Sequence, residues 1–206
     1  MNAPVKVFLV DDEPAMLRAL RRLLEAEKLV VQTFKSASEF LESLSDDDVG
    51  CIVLDVDMPG LDGLELQRRL VEIGRQRPIV FLTGHGDIPM SVRAIRGGAV
   101  DFLTKPVKRA DLLRAIHTGI DHATAQQRAA LATAELRARL TQLTPREREV
   151  FEHIITGKRN KIIADRLGTS EQTIKVHRGR VMAKLGIASV AELVRAAQQM
   201  GVTPAS

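Results

Sequence analysis

Short apolar runs alternate with amphipathic stretches over the first half of the chain, and this alternation is the strongest constraint on the fold. The clearest runs, Val5–Val10, Ile52–Val56 and Ile79–Leu82, are too short for helices and are rich in β-branched residues. Weaker runs of the same kind lie at Val30–Phe34 and Val100–Leu103. The stretches between them carry apolar residues three and four positions apart, which is typical of amphipathic helices. Five strands alternating with five helices predict an α/β fold, in which helices cover both faces of a parallel sheet.

The alternation stops near Asp121, and the rest of the chain is predicted to be helical. Residues 121–140 are rich in Ala, Gln, Arg and Leu and contain no Gly or Pro, which favours a helical linker. The sequence leaves open whether this helix continues the one that starts near Lys108, with Gly119 as a weak point. The sequence therefore predicts one domain over residues 1–122, a linker over 123–140 and a small all-α domain over 141–206.

Local signals mark the helix starts of the second domain. Thr144 and Glu147 match a capping box, with a proline at the first helical position. Thr169 and Gln172 are expected to form a second capping box. The predicted helices span about 145–156, 160–167 and 170–185. The tight turn between the last two is typical of a helix-turn-helix.

Charge is divided unevenly between the two halves. The formal net charge is +4, but residues 1–120 hold 16 Lys/Arg against 18 Asp/Glu, whereas residues 121–206 hold 14 against 8. The basic half predicts an anion-binding surface, with nucleic acid as the usual partner, or else a solvated basic surface. No apolar run approaches the roughly 20 residues of a membrane span, and the N-terminus lacks a signal-peptide pattern. The single cysteine, Cys51, fits a reducing compartment, so we expect a cytoplasmic protein without a membrane partner.

Polar residues stand at the carboxyl ends of four predicted strands. Asp11 and Asp12 end the first strand, and Asp55 ends the third. Thr83 ends the fourth strand, and Lys105 follows the fifth. Ligands of open parallel sheets bind at this edge, so we expect the five residues to converge on one small site. Three carboxylates in one place repel each other and favour a bound divalent cation, and oxygen ligands suit Mg²⁺.

The same residues predict phosphoryl chemistry. A carboxylate beside Mg²⁺ can attack a phosphoryl group and form an acyl phosphate. Lys105 and the Thr83 hydroxyl can then stabilise the transferred oxygens. Taken one at a time, these residues also fit ordinary helix caps and turns, as in Asp12-Glu13-Pro14.

Four motifs follow one another in a characteristic order, namely Asp11-Asp12, Leu54-Asp55-Val56-Asp57-Met58-Pro59-Gly60, Thr83 and Lys105-Pro106. In this order they resemble the receiver domain of two-component response regulators, over residues 4 to about 120. The resemblance implies a flavodoxin-like sheet of strand order 2-1-3-4-5, and it implies that Asp55 accepts phosphate from a sensor histidine kinase. It also implies that Asp12, Asp55 and the Asp57 backbone carbonyl bind Mg²⁺, while Asp11 reaches the metal through water.

Two further residues have competing interpretations. Phe102, three residues before Lys105, matches the switch aromatic that rotates inward when Thr83 moves toward the phosphoryl group. The family more often has Tyr there, and a core aromatic is the other interpretation of Phe102. His85 lies between two glycines and invites a catalytic role, but we expect an exposed loop residue, because no base or nucleophile role is left unfilled.

One enzymatic alternative is based on the same sequence motif. Leu54-Asp55-Val56-Asp57 also resembles the DxD motif of haloacid-dehalogenase-like phosphatases, in which the second Asp is a general acid/base. In that family the acidic metal pair follows the nucleophile, whereas Asp11-Asp12 precede Asp55. A cap-domain insertion is not visible either. We therefore expect that the chain is not an enzyme.

The third predicted helix of the second domain has an unusual outer face. When Ile174 faces the core, Val181 and Leu185 lie within about 20° of it, at about 100° per residue. The opposite face presents Gln172, Val176, Gly179 and Ala183, bordered by Lys175 and Arg180. Such a face can enter a DNA major groove, with Val176 on a thymine methyl and Lys175 on a guanine edge or a phosphate. Packing against another protein helix is the alternative.

A second set of motifs runs along this domain: Leu143-Thr144-Pro145-Arg146-Glu147-Arg148-Glu149-Val150, Gly157, Asn160-Lys161, Ile163-Ala164, Leu167 and Thr173-Ile174-Lys175-Val176-His177. They resemble the LuxR-type DNA-binding domain, over about 142–200. The candidate DNA contacts are Lys161, Thr173, Lys175, Val176, Arg178, Gly179 and Arg180. Gly179 departs from the larger or basic residue of many relatives, which bears on base choice. With the receiver and with Gly84-His85-Gly86-Asp87-Ile88-Pro89-Met90, the chain is similar to FixJ-type members of the NarL/FixJ group.

The two resemblances together predict a DNA-binding transcriptional regulator that is switched by phosphorylation of Asp55. They favour an activator that contacts RNA polymerase. Phosphorylation is expected to shift the face formed by Met90–Ile95 and Val100–Leu103 and to produce a homodimer. The alternative is a receiver whose helical domain binds protein instead of DNA.

Overall fold

The computed structural model describes residues 4–45, 48–84 and 87–202. The chain divides into two compact units, Met1–Gln127 and Arg128–Ser206. The domain and linker boundaries at 122 and 140 stay predictions, and the predicted loop residue His85 lies outside the described residues. Within the described ranges, none of the helices combines the length and the apolar character that a membrane span requires.

The N-terminal unit is built on a parallel sheet. Its elements are β1 (Lys6–Val10), α1 (Pro14–Ala26), β2 (Val30–Phe34), α2 (Ala37–Ser43), β3 (Gly50–Asp55), α3 (Gly63–Glu72), β4 (Ile79–Thr83), α4 (Ile88–Arg96) and β5 (Asp101–Thr104), followed by the start of α5 (Arg109–Leu140). The strands lie in the order β2-β1-β3-β4-β5, and each neighbouring pair is parallel. The predicted α/β class and strand order are confirmed.

The side chains of the central strands alternate between two apolar cores. On β1, Phe8 belongs to one core and Leu9 to the other. The first core also contains residues of α2, α3 and α4: Ala37, Phe40, Leu66, Leu70 and Ala94. The second contains residues of α1 and α5: Leu17, Leu20, Leu24, Leu112 and Ile116. Because both faces of the sheet are covered, its inner strands are almost entirely apolar.

The strand register brings three strand ends together. Val10 of β1 pairs with Leu54 of β3, and Asp55 pairs with Leu82 of β4. The residues that end or follow these strands therefore meet at one edge of the sheet. This edge is where open parallel sheets bind ligands.

Helix α5 is continuous from Arg109 to Leu140, so the predicted weak point at Gly119 does not interrupt it. Gly119 lies where α5 crosses β3, and a Cβ at this position would overlap the Cys51 sulfur. Cys51 is fully buried, and this burial raises the pKa of its thiol to about 12. The glycine therefore permits the close approach of helix and strand.

The C-terminal unit contains the end of α5 with α6 (Pro145–Ile154), α7 (Asn160–Arg166), α8 (Glu171–Leu185) and α9 (Val190–Gln199). Their apolar faces form one core, to which Phe151, Ile174 and Leu193 contribute. The first predicted capping box is confirmed. The Thr144 hydroxyl accepts from the Glu147 N–H, and the Glu147 carboxylate accepts from the Thr144 N–H.

The second predicted capping box, at Thr169, was wrong. Ser170 is the N-cap of α8, and its hydroxyl accepts from the Thr173 N–H at 3.1 Å. Thr169 instead closes α7, because its N–H donates to the Ala164 carbonyl at 3.0 Å after Gly168 turns the chain at φ +61. This pairing is typical of a helix C-terminus with a left-handed glycine. The cap of the next helix therefore shifts by one residue.

The last turns of α5 belong to the C-terminal core. Leu140 is buried in it, and Leu136 packs against it. Arg137 donates to the Met200 carbonyl at 3.1 Å, and Arg139 donates to the Leu185 carbonyl at 3.0 Å. These bonds satisfy carbonyls at the ends of α9 and α8, which lack partners within their own helices.

Candidate functional site

Three carboxylates meet at the carboxyl ends of β1 and β3. One oxygen from each of Asp11, Asp12 and Asp55 lies within 4.8 Å of the others. Asp11 and Asp55 are buried, and Asp12 is half-buried. The predicted convergence of these residues is therefore present in the structure.

Lys105 lies between two of the carboxylates. Its Nζ is 2.8 Å from Asp11 Oδ2 and 2.8 Å from Asp55 Oδ2. Burial raises the pKa of Asp55, although the hydrogen bond from Lys105 opposes the shift. Burial lowers the pKa of Lys105, but the hydrogen bonds and charges of Asp11 and Asp55 outweigh this effect and leave the pKa above its usual value. The ammonium is thus held in its charged form.

Backbone donors fix the other oxygens of the two buried carboxylates. Asp11 Oδ1 accepts from the Glu13 N–H at 2.8 Å, and Asp55 Oδ1 accepts from the Asp57 N–H at 3.3 Å. Glu13 occupies the N-cap position of α1, and the structure gives no side-chain hydrogen bond at that cap. Asp12 therefore does not act as the helix cap that the sequence also allowed.

Thr83 is fully buried at the end of β4. Its hydroxyl donates to Asp57 Oδ2 at 3.1 Å, and its carbonyl accepts from the Lys105 N–H at 2.7 Å. The sequence pointed to the backbone carbonyl of Asp57 and did not reveal the role of its side chain. Two residues predicted to act on a phosphoryl group are thus linked by one backbone hydrogen bond.

Phe102 lies on β5 beside the core of the sheet. It is half-buried, and its ring centroid is 6.1 Å from that of Phe81 at an interplanar angle of 44°. The ring packs against the apolar core below α4. This position is compatible with both predicted interpretations, a core aromatic and a switch aromatic.

The donor set fits a divalent cation. Three carboxylates face a single ammonium, so the cluster carries an excess of two negative charges. A buried excess of this size is costly without a counter-ion. Carboxylate oxygens are also the ligands that Mg²⁺ prefers.

The outer face of α8 in the C-terminal unit is exposed as predicted. Ile174, Val181 and Leu185 are buried, whereas Val176 is 44% exposed. The other outward residues, Gln172, Lys175, Gly179, Arg180 and Ala183, are exposed as well. A Cβ added at Gly179 would have no neighbour within 4 Å, so packing within the chain does not require this glycine.

Three other predicted DNA contacts differ in their exposure and in their hydrogen bonds within the chain. Lys161 is exposed on α7. Arg178 is half-buried and donates to Asn160 Oδ1 at 3.0 Å, so it joins α8 to the first residue of α7. Thr173 is half-buried, and its hydroxyl lies 2.8 Å from that of Ser170. The sequence did not reveal these two local bonds, which occupy side chains that were expected to face DNA.

Two family models match the chain. The model of the response regulator receiver domain matches residues 7–117. The model of bacterial regulatory proteins, luxR family, matches residues 141–197. The chain is a response regulator of the NarL/FixJ group.

Relatives match this response regulator over nearly its whole length. It is 44% identical to the response regulator protein TmoT of Ectopseudomonas mendocina, over 94% of this chain and 88% of that one. It is 41% identical to the transcriptional regulatory protein FixJ of Azorhizobium caulinodans, over 100% and 97%. Among solved structures, the response regulator StyR matches with a TM-score of 0.78 at 43% identity, over 96% of this chain and 100% of StyR. Full-length FixJ from B. japonicum matches with a TM-score of 0.56 at 40% identity, over 96% and 97%.

The family explains why an acidic pocket and a basic helical unit occur in one response regulator. Receiver domains bind Mg²⁺ at their acidic pocket, which here is the cluster of Asp11, Asp12 and Asp55. A receiver followed by a LuxR-type helix-turn-helix supports transcription regulation, with DNA and a sensor kinase as partners. Both family models describe regulatory proteins, and FixJ of Azorhizobium caulinodans is named a transcriptional regulatory protein, so the comparisons favour a regulator over the phosphatase alternative.

Proposed function

We propose that this response regulator is a transcriptional activator that is switched on when a sensor histidine kinase phosphorylates Asp55. The observation that carries the proposal is the Lys105 ammonium, held 2.8 Å from both Asp11 and Asp55. The ammonium thereby opposes the rise that burial causes in the pKa of Asp55, and it places a fixed cation beside the carboxylate. Such preorganised charge stabilises the oxygens of a phosphoryl group during transfer.

In the transfer step, an Asp55 carboxylate oxygen attacks the phosphorus of a phosphohistidine. The new O–P bond forms as the P–N bond breaks, and the electron pair stays on the imidazole nitrogen, which takes up a proton as it leaves. The Asp57 N–H orients Asp55 through Oδ1. Lys105 then pairs with a phosphoryl oxygen.

Asp12, Asp55 and the Asp57 backbone carbonyl would hold Mg²⁺, with Asp11 bound through water. The division into direct and water-mediated ligands follows the resemblance to the receiver family, because Asp11 and Asp55 each accept hydrogen bonds through both of their oxygens. The cation supplies positive charge that neutralises the phosphoryl oxygens. One oxygen from each of the three carboxylates lies within 4.8 Å of the others, which is close enough for them to face one ion.

Phosphorylation would move Thr83 from Asp57 toward the new phosphoryl oxygens. Its hydroxyl is the mobile part of the link, because its backbone carbonyl is fixed by the Lys105 N–H. The movement frees space at the end of β4, the strand whose Phe81 ring lies with its centroid 6.1 Å from that of the half-buried Phe102. Rotation of that ring would couple the pocket to the outer surface of β5.

The surface formed by Met90–Ile95 and Val100–Leu103 would form the dimer contact. Val92 and Ile95 are 41% and 49% exposed on α4. They are three residues apart, so they lie on one side of the helix. Exposed apolar side chains of this kind mark interaction surfaces, and a second copy offers the same surface.

The activated dimer would bind promoter DNA through α8 and recruit RNA polymerase. Lys175, Val176, Gly179 and Arg180 form the exposed centre of the contact, with Lys161 on a phosphate and Thr173 and Arg178 at the inner edge. Gly179 supports DNA as the partner. A glycine inside a helix costs about 1 kcal/mol, and close approach to a ligand accounts for one that packing does not require.

The decisive experiment compares the wild type with Asp55→Asn. Treated with acetyl phosphate and Mg²⁺, the wild type should gain a phosphoryl group by mass spectrometry, dimerise, and occupy and activate its promoters. Asp55→Asn should do none of these, while Asp121→Asn, an exposed change on α5, should behave as the wild type. A phosphorylated Asp55→Asn, or a phosphorylated wild type that stays monomeric with unaltered promoter binding, would refute the switch.

A further inference from the structure

A cleft between α3 and α4 lies outside both the acidic pocket and the outer face of α8. Its volume is about 480 Å³, which is within the range of small-molecule sites. Helix α3 lines it with Leu64, Gln67 and Val71, and the end of α4 lines it with Arg93, Arg96 and Gly97. Neither the phosphorylation chemistry nor DNA binding uses this cleft, and Arg93 is its one lining residue within the proposed dimer surface.

The rim of the cleft carries uncompensated positive charge. Arg68 also lines it, but it pairs with Glu65 and Glu72 at 2.5 and 2.7 Å. Arg93 and Arg96 are exposed, and among the described residues they have neither an ion pair nor a side-chain hydrogen bond. Their spacing of three residues places both guanidinium groups on the same side of α4.

The arginines are not needed to terminate the helix. Cations near a helix C-terminus often satisfy its last carbonyls. Here the backbone already does so, because the Gly97 N–H donates to the Arg93 carbonyl at 2.9 Å and the Ala99 N–H donates to the Ala94 carbonyl at 3.1 Å. The guanidinium donors therefore remain available to a ligand.

The floor of the cleft is preformed. Gln67 is only 7% exposed, and its Nε2 donates to the Ala94 carbonyl at 3.1 Å, which joins α3 to α4. A Cβ at Gly97 would lie 2.6 Å from Gln67 Oε1, so a larger residue there would displace the Gln67 side chain. Leu64 and Val71 supply the apolar wall.

We propose that this cleft binds a small organic anion. Its carboxylate would pair with Arg93 and Arg96, and its apolar part would lie on Leu64 and Val71. Guanidinium groups suit such a ligand because their planar donors match a carboxylate in a bidentate manner. The volume of about 480 Å³ favours a small molecule, because it lies within the range of small-molecule sites.

The test uses the full, unphosphorylated chain labelled with ¹⁵N, and hexanoate as the probe. We expect saturable shifts of the amide signals of Val71, Arg96 and Gly97 at millimolar hexanoate, and no such shifts with hexan-1-ol, which lacks the charge. The double variant Arg93→Gln/Arg96→Gln should weaken binding about tenfold. Arg18→Gln/Arg22→Gln, which removes two exposed arginines from α1, is the matched control and should bind as the wild type.

A variant that fills the cleft provides an independent test. Val71→Trp should abolish the shifts although both arginines remain, and Val71 is exposed enough for the larger side chain to be tolerated. Four outcomes would overturn the proposal: no saturable shift at millimolar hexanoate, equal shifts with hexan-1-ol, equal affinity of the two double variants, or unchanged binding by Val71→Trp. All four concern the unphosphorylated chain, so they do not depend on the proposed switch.

Discussion

The acidic pocket and the outer face of α8 use charge in opposite ways. In the pocket, Asp11, Asp55 and Lys105 come from different strands and hold each other in place with little solvent. On α8, Lys175 and Val176 are neighbours in sequence, and both are exposed. The residues of a buried charge cluster depend on one another, because each charge needs its partners. An exposed face is constrained only by what binds it, so substitutions should separate stability from function there and not in the pocket.

The largest effect is expected from Lys105→Met. It removes the ammonium that touches both Asp11 and Asp55, and breaking such a cluster costs roughly 3–5 kcal/mol. The free energy of unfolding of the N-terminal unit can be measured by hydrogen exchange of the β3 and β4 amides. The variant should also fail to take phosphate from acetyl phosphate.

Two controls sharpen this prediction. Lys108→Met, an exposed change nearby, should leave the same amides as protected as in the wild type. Millimolar Mg²⁺ should restore part of the lost protection in Lys105→Met, because it supplies the missing charge. Equal unfolding free energies for the wild type and Lys105→Met would show that the pocket charges do not depend on each other.

A smaller effect, on binding alone, is expected from Lys175→Ala. Loss of a base or phosphate contact should weaken promoter binding by about 1–3 kcal/mol. The unfolding free energy should change by no more than about 0.5 kcal/mol, since the side chain is exposed. Fluorescence anisotropy with promoter DNA measures the first quantity, and denaturant titration measures the second.

Arg195→Ala is the matched control for Lys175→Ala, because it removes an exposed positive charge from α9. It should leave promoter affinity nearly unchanged. A loss of affinity equal to that of Lys175→Ala would mean that overall charge, and not the face of α8, determines binding.

Gly179→Ala should change the stability of the protein and its promoter affinity in opposite directions, each by about 1 kcal/mol. Alanine stabilises a helix interior by about that amount, and the added methyl group has open space around it in the free chain. The same methyl group should obstruct close approach to DNA, so thermal stability should rise while promoter affinity falls. The reciprocal change Ala183→Gly, on the same face, should lower stability and spare affinity. A Gly179→Ala variant that gains in both would remove the case for close approach.

The smallest effect is expected from Lys161→Gln. A lysine that contacts one phosphate contributes about one unit to the slope of log affinity against log salt. Anisotropy titrations at several salt concentrations should show a slope reduced by about one, with little change in sequence preference. An unchanged slope would remove Lys161 from the DNA contact.

The sequence predicted the sheet and the pocket because both depend on local signals. Buried parallel strands must be apolar runs, and the ends of these runs located Asp11, Asp55 and Thr83. The buried face of α8 was predictable for the same reason. Ile174 and Val181 lie on one side of the helix because of the helical period, and both are buried.

Side-chain partners across loops were not predictable in this way. The Thr83 hydroxyl donates to the Asp57 side chain because of the backbone conformation after β3, which no residue pattern specifies. The bond from Arg178 to Asn160 depends on how α7 and α8 pack. At the start of α8, Thr169 could either end α7 or cap α8. The sequence suggested that it caps α8, but its N–H donates to the Ala164 carbonyl at the end of α7.

The overlap between Gly119 and Cys51 has a consequence for how the family can diverge. A Cβ at 119 would collide with the sulfur of residue 51, so position 119 cannot be enlarged while residue 51 remains a cysteine. A lineage that loses the cysteine to alanine first would keep a Cβ–Cβ distance of 3.1 Å to an alanine at 119, which needs only a small shift, whereas the reverse order passes through the collision with the sulfur. Orthologues should therefore vary at these two sites as a pair, although 68 positions separate them along the chain.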